Sequence, residues 1–308
     1  MKLFHPLIAQ FLVTSTMFLS TPASSEEQPR HGQQTIKFTK EAGGERGFYI
    51  SLPPNYSASN RYKLLMVFPG TDTTGHGMQE IIGEEWMQSE GLEQSMPDTI
   101  VVYPDPKSRY FPGWKSQHLG WQLGPYAGDA AGTEDLAFTA QLLDWLELNY
   151  SVDKQKVFAT GHSWGGDMTA VVGCFLGDRF TAIAPVAANR PYWFETNGAP
   201  LRCKGNAAVW TFFGLDDEHF AKSQNQPGEF GREQDEFWIK KANCSDNKLS
   251  VPGISSDITY EHVGCSHDVR LTLYKVSPER AAITSKDAGH QPPDYFPRAV
   301  SNWFLSIP

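Results

Sequence analysis

The chain has 308 residues, 40% of them hydrophobic and 20% charged, enough for one large globular domain or two small ones. A formal charge of −9 argues against nucleic acid and against an anionic membrane surface as partners. Aromatic residues are plentiful, with nine Trp, eleven Tyr and nineteen Phe, and several Trp fall in Gly/Pro-rich stretches where loops carry binding surfaces.

The first 24 residues read as a secretory signal. Lys2 supplies a positive start, "LIAQFLVTSTMFL" an apolar stretch of signal length, and "STPASSEE" a cleavage zone near Ala23 to Ser25. Residues 25–308 are then expected as one exported domain, soluble and monomeric, with no membrane partner. Four cysteines follow the signal: Cys174, Cys203, Cys244 and Cys265. In an oxidising compartment an even count favours two disulfides, with three connectivities open. Pairing in sequence order closes the shortest loops, each worth about 3 kcal/mol in the chain-entropy model. No spacing suits a metal site, and no cofactor is expected.

"TIKF" and "GFYISLPP" read as the first strands, the second ended by Pro-Pro. "KLLMVFPG" (63–70) and "DTIVVYPDP" (98–106) are continuous apolar runs that suit buried strands, with a helix expected over 78–91. Residues 107–132 show no periodicity and many aromatics, including Tyr110, Phe111, Trp114, Trp121 and Tyr126. They are expected to form a functional loop. "TEDLAFTAQLLDWLELNY" is an amphipathic helix with Glu134 and Asp135 in its first turn. Strands follow at 156–160, 180–188, 207–214 and 269–276, and helices at 165–176 and 233–244. Apolar strands alternating with helices mean a mostly parallel sheet covered on both faces. The fold class is α/β, in a single domain.

Within that pattern "VFATGHSWGGDMT" places G-x-S-x-G between a buried strand and a helix. The motif alone occurs by chance in roughly one chain in ten of this length, so its context decides. A sharp strand-to-helix turn holds the hydroxyl of Ser163 clear of the sheet, and the helix starting at Trp164 points N–H groups at the same spot. A serine needs a base and an acid to orient it, and in this arrangement they come later, acid before base. His219, His262, His267 and His290 follow Ser163. His290, in "KDAGHQPP", has a proline-pinned loop to hold it and is the expected base. His262 alternates within a strand and reads as partly exposed, His219 lies too close to the acids, and His267 suits a turn. "WTFFGLDDEHF" ends a strand at Asp216 and Asp217, of which Asp217 is preferred as the acid. The oxyanion hole is expected from the N–H groups of Trp164 and of Thr71, which follows Pro69-Gly70.

These segments resemble the secreted feruloyl esterases and polyhydroxybutyrate depolymerase-like (LpqC-like) esterases of the α/β-hydrolase fold. The match runs through "LLMVFPGT", "YSVDKQKVFATGHSWGGDMT", "FGLDD", "FWIKKANC", "VGC" and "AGHQPP", over about residues 45–305. The resemblance implies a triad of Ser163, Asp217 and His290, an oxyanion hole at Thr71 and Trp164, and disulfides 174–203 and 244–265. The family usually has His-Gly where this chain has Pro69-Gly70 and Phe213-Gly214, and Trp-Pro where it has Gln291-Pro292. The expected activity is hydrolysis, through an acyl-enzyme, of feruloyl or other aryl esters on plant polysaccharides, with Trp114 and Trp121 binding substrate. Polyhydroxyalkanoate, short-chain and acetyl-xylan esters are the alternatives. An acyltransferase and a non-catalytic polysaccharide-binding protein are the readings from other classes. Asn55, Asn149 and Asn243 begin glycosylation sequons.

Overall fold

Side chains alternate along the central strands, and both of their faces are apolar. Leu64, Met66 and Phe68 join one buried cluster while Leu65 and Val67 join another on the opposite face. The computed structural model describes residues 31–123, 133–191, 203–220, 225–245, 248–252, 257–276 and 288–308. The expected signal segment and Tyr126 lie outside them.

The described chain begins with β1 (Gly32–Lys37), β2 (Glu45–Ser51) and β3 (Tyr62–Phe68), followed by the short α1 (Gly75–Met78). A two-stranded ribbon, β4 (Glu85–Trp86) and β5 (Ser89–Glu90), comes next, then α2 (Leu92–Ser95), β6 (Thr99–Pro104) and a hairpin of β7 (Lys107–Phe111) and β8 (Ser116–Gly120). Helix α3 (Thr133–Asn149) leads to β9 (Val152–His162), α4 (Trp164–Phe175), β10 (Ala182–Val186) and β11 (Ala208–Gly214). Helix α5 (Glu229–Lys241), β12 (Lys248–Pro252), β13 (Ile258–His262), β14 (Val269–Tyr274) and α6 (Phe296–Ser306) complete the order.

Among the described residues the main sheet runs β1-β2-β6-β3-β9-β10-β11-β14-β13-β12. Strands β6, β3, β9, β10, β11 and β14 are mutually parallel, and antiparallel strands border them at both edges. Phe138 and Leu142 of α3, Met168 and Val172 of α4 and Trp238 of α5 pack on one face. Met78, Phe296, Val300 and Trp303 pack on the other. Each such side chain, fully buried, contributes about 1.5–3 kcal/mol.

Three sequence expectations change. The helix expected over 78–91 is the short α1 with one wide turn at Gln79–Gly83, and the ribbon follows. Met87 and Gln88 at the ribbon's turn take left-handed φ of 51° and 62°, which no glycine announces in the sequence. The expected loop 107–132 contains the β7–β8 hairpin, in register from Lys107↔Gly120 to Phe111↔Ser116. Strand β9 begins at Val152 rather than near 156 and reaches His162, so it delivers the chain to Ser163 without an intervening loop.

A buried ion cluster ties the hairpin to α3. Asp135, fully buried, accepts from Arg46 Nη2 and Arg109 Nη1, both at 2.9 Å, and from Gln122 N–H at 2.6 Å. Burial alone would raise its pKa, but the two guanidiniums and the Gln122 N–H together hold it below the usual carboxylate value.

Candidate active site

The turn at the end of β9 is tight because α4 begins at once. Ser163 has φ 57° and ψ −125°, a conformation that a non-glycine residue rarely adopts. Its N–H donates to Val186 O at 3.0 Å and its carbonyl accepts from Asp167 N–H at 3.0 Å. Serine at a helix N-cap ordinarily caps with its hydroxyl, yet Ser163 makes no such bond. Space here is scarce: a Cβ on Gly165 would run into the Phe68 carbonyl oxygen at the end of β3. Only glycine lets helix and strand ends approach so closely.

Asp217 and His290 come from the chain beyond β11 and from the loop before α6, and they meet as expected. His290 Nδ1 donates to Asp217 Oδ2 at 2.8 Å, with the two residues 4% and 2% exposed. A neutral ring with Nδ1 as donor keeps Nε2 as its acceptor. Asp217 Oδ1 accepts from His219 N–H at 3.0 Å. Asp216 is exposed, and its backbone abuts Gly289, where a Cβ would strike the Asp216 carbonyl. Two further histidines buttress His290: His162, not weighed in the sequence, and His219, weighed there and set aside as the base. His162 Nε2 donates to the His290 carbonyl oxygen at 2.8 Å, and the His219 ring lies 4.2 Å from the His290 ring. A histidine beside Ser163 and another beside Asp216 and Asp217 were the available signals.

Thr71 follows Gly70, whose Cα lies close enough to the elbow that an added Cβ would sit 3.5 Å from Ser163 Cβ. The β7–β8 hairpin pins this loop. Trp121 Nε1 donates to Pro69 O at 2.8 Å, Asp72 N–H donates to Leu119 O at 2.9 Å, and His118 Nδ1 donates to Asp72 Oδ2 at 2.8 Å.

Ser163, Thr71, Trp164 and His290 line one cavity of about 740 Å³. Trp114 also lines it, 38% exposed, its ring 4.6 Å from that of Trp164. Trp121 does not. It is fully buried, edge-on to Phe68, and supports the Pro69 carbonyl, so its expected role against substrate is corrected to one within the core. Phe111 is likewise buried, against Trp164, while Tyr110 is exposed away from the cavity lining. His262 is corrected too: it is buried, its Nε2 2.9 Å from Asp235 Oδ1, and it holds α5 to β13. Asp167, one turn into α4, faces the cavity and was not singled out by the sequence; burial pushes its carboxyl up to about 7 against two bonds from Asn189 that lower it.

The cysteines pair as the resemblance implied, Cys174 with Cys203 and Cys244 with Cys265, at Cα separations of 4.7 and 3.9 Å. Among the described residues no helix is long and apolar enough to cross a membrane, and no cluster of three metal-ligating side chains occurs.

A family model described as putative esterase matches residues 39–287. The probable feruloyl esterase C of Aspergillus clavatus is 24% identical over 242 residues, 77% of this chain and 77% of that protein. The probable feruloyl esterase C of Aspergillus terreus is 22% identical over 285 residues, covering 90% of this chain and 93% of its own. Among solved structures, an acetyl xylan esterase from Aspergillus awamori aligns with a TM-score of 0.61 at 16% identity, over 89% of this chain and 98% of that one. That likeness is one of fold, the α/β-hydrolase architecture expected from the sequence.

Proposed function

This chain belongs to the putative esterase family, and we propose that it is a secreted serine esterase cleaving feruloyl or other aryl esters of plant polysaccharides. The observation that carries the reading is that His290, bonded to Asp217, lines the same cavity as Ser163, whose hydroxyl is not spent on a helix cap. The aromatic acyl group is supported by Trp86, Trp114, Trp164, Phe220 and Phe230 in that cavity, and by the names of the curated relatives. Export is supported by the signal-like first 24 residues and by the paired cysteines.

In this reading Ser163 Oγ attacks the ester carbonyl while His290 Nε2 takes its proton. Asp217 holds the ring in the required tautomer and stabilises the imidazolium that forms. The N–H groups of Thr71 and Trp164 receive the charge developing on the carbonyl oxygen, each worth about 10²–10³ in rate. Collapse of the tetrahedral intermediate expels the alcohol, which takes the proton from His290. Water, deprotonated by His290, then releases the acid and frees Ser163.

The test is a panel of methyl ferulate, p-nitrophenyl acetate and a hydroxybutyrate oligomer, each with wild type and Ser163→Ala. Methyl ferulate is expected to give the highest kcat/KM, and the variant no turnover on any of the three. A higher kcat/KM on the acetate or the oligomer would replace the aryl substrate class, and hydrolysis retained without Ser163 would end the serine mechanism.

A further inference from the structure

Asp167 is 7% exposed, lines the cavity beside Ser163, and has no part in the reaction just described. It lies one helical turn beyond the nucleophile, tied to it by the bond from its N–H to the Ser163 carbonyl. Among the described residues Asn189 alone donates to its carboxyl, from its backbone N–H at 2.7 Å and Nδ2 at 3.4 Å. Both bonds end on Oδ1. Oδ2 is the oxygen left to meet the cavity, whose lining mixes apolar Ile82 and Phe230 with polar Thr73 and Gln291.

We propose that Asp167 Oδ2 is a substrate-binding group that hydrogen-bonds a hydroxyl carried close to the scissile ester. The inference rests on the esterase reading and adds a substrate class to it: esters bearing a nearby hydroxyl, in preference to plain ones. Asp167 and Ser163 line the same cavity and are joined through their backbones, so the hydroxyl must sit close to the scissile carbonyl. It can belong to the acyl side, as in a 3-hydroxy acid, or to the alcohol side, as in a sugar hydroxyl next to the acylated one. A hydroxyl buried in the cavity without a partner would lose its water without replacement, so one matched group discriminates well.

Burial pushes the Asp167 carboxyl up to about 7. Protonated, Oδ2 both donates and accepts; ionised, it accepts from the O–H of a hydroxyl, so either state can hold one. No charged side chain among the described residues pairs with it, and the titratable groups sharing its cavity are His162, His219 and His290.

Two matched ester pairs separate the sources: ethyl 3-hydroxybutyrate against ethyl butyrate, and 2-hydroxyethyl ferulate against ethyl ferulate. Wild type is expected to prefer the hydroxylated member of one pair in kcat/KM by about tenfold, the size of one hydrogen bond, on both sides of pH 7. Asp167→Asn, whose amide N–H₂ replaces the protonated oxygen, should keep the preference at every pH. Asp167→Leu, which keeps the branching at Cγ without a polar atom, should bring it close to one. Leucine keeping the preference, or wild type showing none in either pair, overturns the inference. Wild type inert on all four esters would instead overturn the esterase reading, and urea unfolding of both variants separates misfolding from lost recognition.

Discussion

Ser163 keeps a φ of 57° that glycine would adopt at little cost, and such strain in other residues is worth about 1–3 kcal/mol. Ser163→Gly should therefore abolish hydrolysis while raising stability by about 1 kcal/mol over Ser163→Ala. Urea unfolding of the two variants checks this, and equal stability would mean that the turn is unstrained. The proposed acid gives a second contrast. Asp217→Asn should lower kcat by about 10⁴ because the His290 ring loses its tautomer partner, whereas Asp216→Asn should stay near wild type, and steady-state kinetics on methyl ferulate would show it. The proposed nucleophile, acid and base were legible because strand ends and G-x-S-x-G leave local marks. Trp121 was misread because a Gly-flanked tryptophan looks alike whether its ring faces a cavity or the core. Asp167 left no mark at all. At that spacing it reads as one more residue of a helix, and only folding shows it buried and facing Ser163.

At the scale of elements, the hairpin β7–β8 matters most for the site, since it supports the Pro69–Asp72 loop and carries Trp114. Its exposed faces and short strands hide it from any periodicity, so the sequence presents it as a loop. What fixes it is charge: Asp135 of α3 binds Arg109 of β7 and Arg46 of β2. Asp135→Ala leaves two buried guanidiniums short of their partner and should cost about 3–5 kcal/mol, read by chemical denaturation together with a drop in kcat as the loop loosens. Because the Asp135 pKa is depressed on folding, its contribution is present above the unfolded carboxylate pKa and is lost as pH falls through the lower folded value. The wild type should lose stability on acidification across that window more steeply than Asp135→Ala. Parallel acid profiles would contradict the assignment.

Over the whole molecule, the parallel sheet with helices on two faces follows from apolar runs such as "KLLMVF", whose consecutive residues all need burial. The antiparallel edges and the order of the strands did not, since they depend on pairings between distant segments. The two disulfides link neighbours 29 and 21 residues apart and fasten α4 and α5 to the segments beside them. Replacing either pair by serines should lower stability by about 3 kcal/mol, seen as a lower Tm, and no change would mean that the cysteines do not pair. The central claim is that Ser163 attacks the ester, and an irreversible phosphonylating reagent tests it most directly. After inactivation, peptide mass spectrometry is predicted to find one equivalent of label on Ser163, with methyl ferulate hydrolysis lost in proportion. Label on another residue, or full hydrolysis with Ser163 labelled, would contradict it.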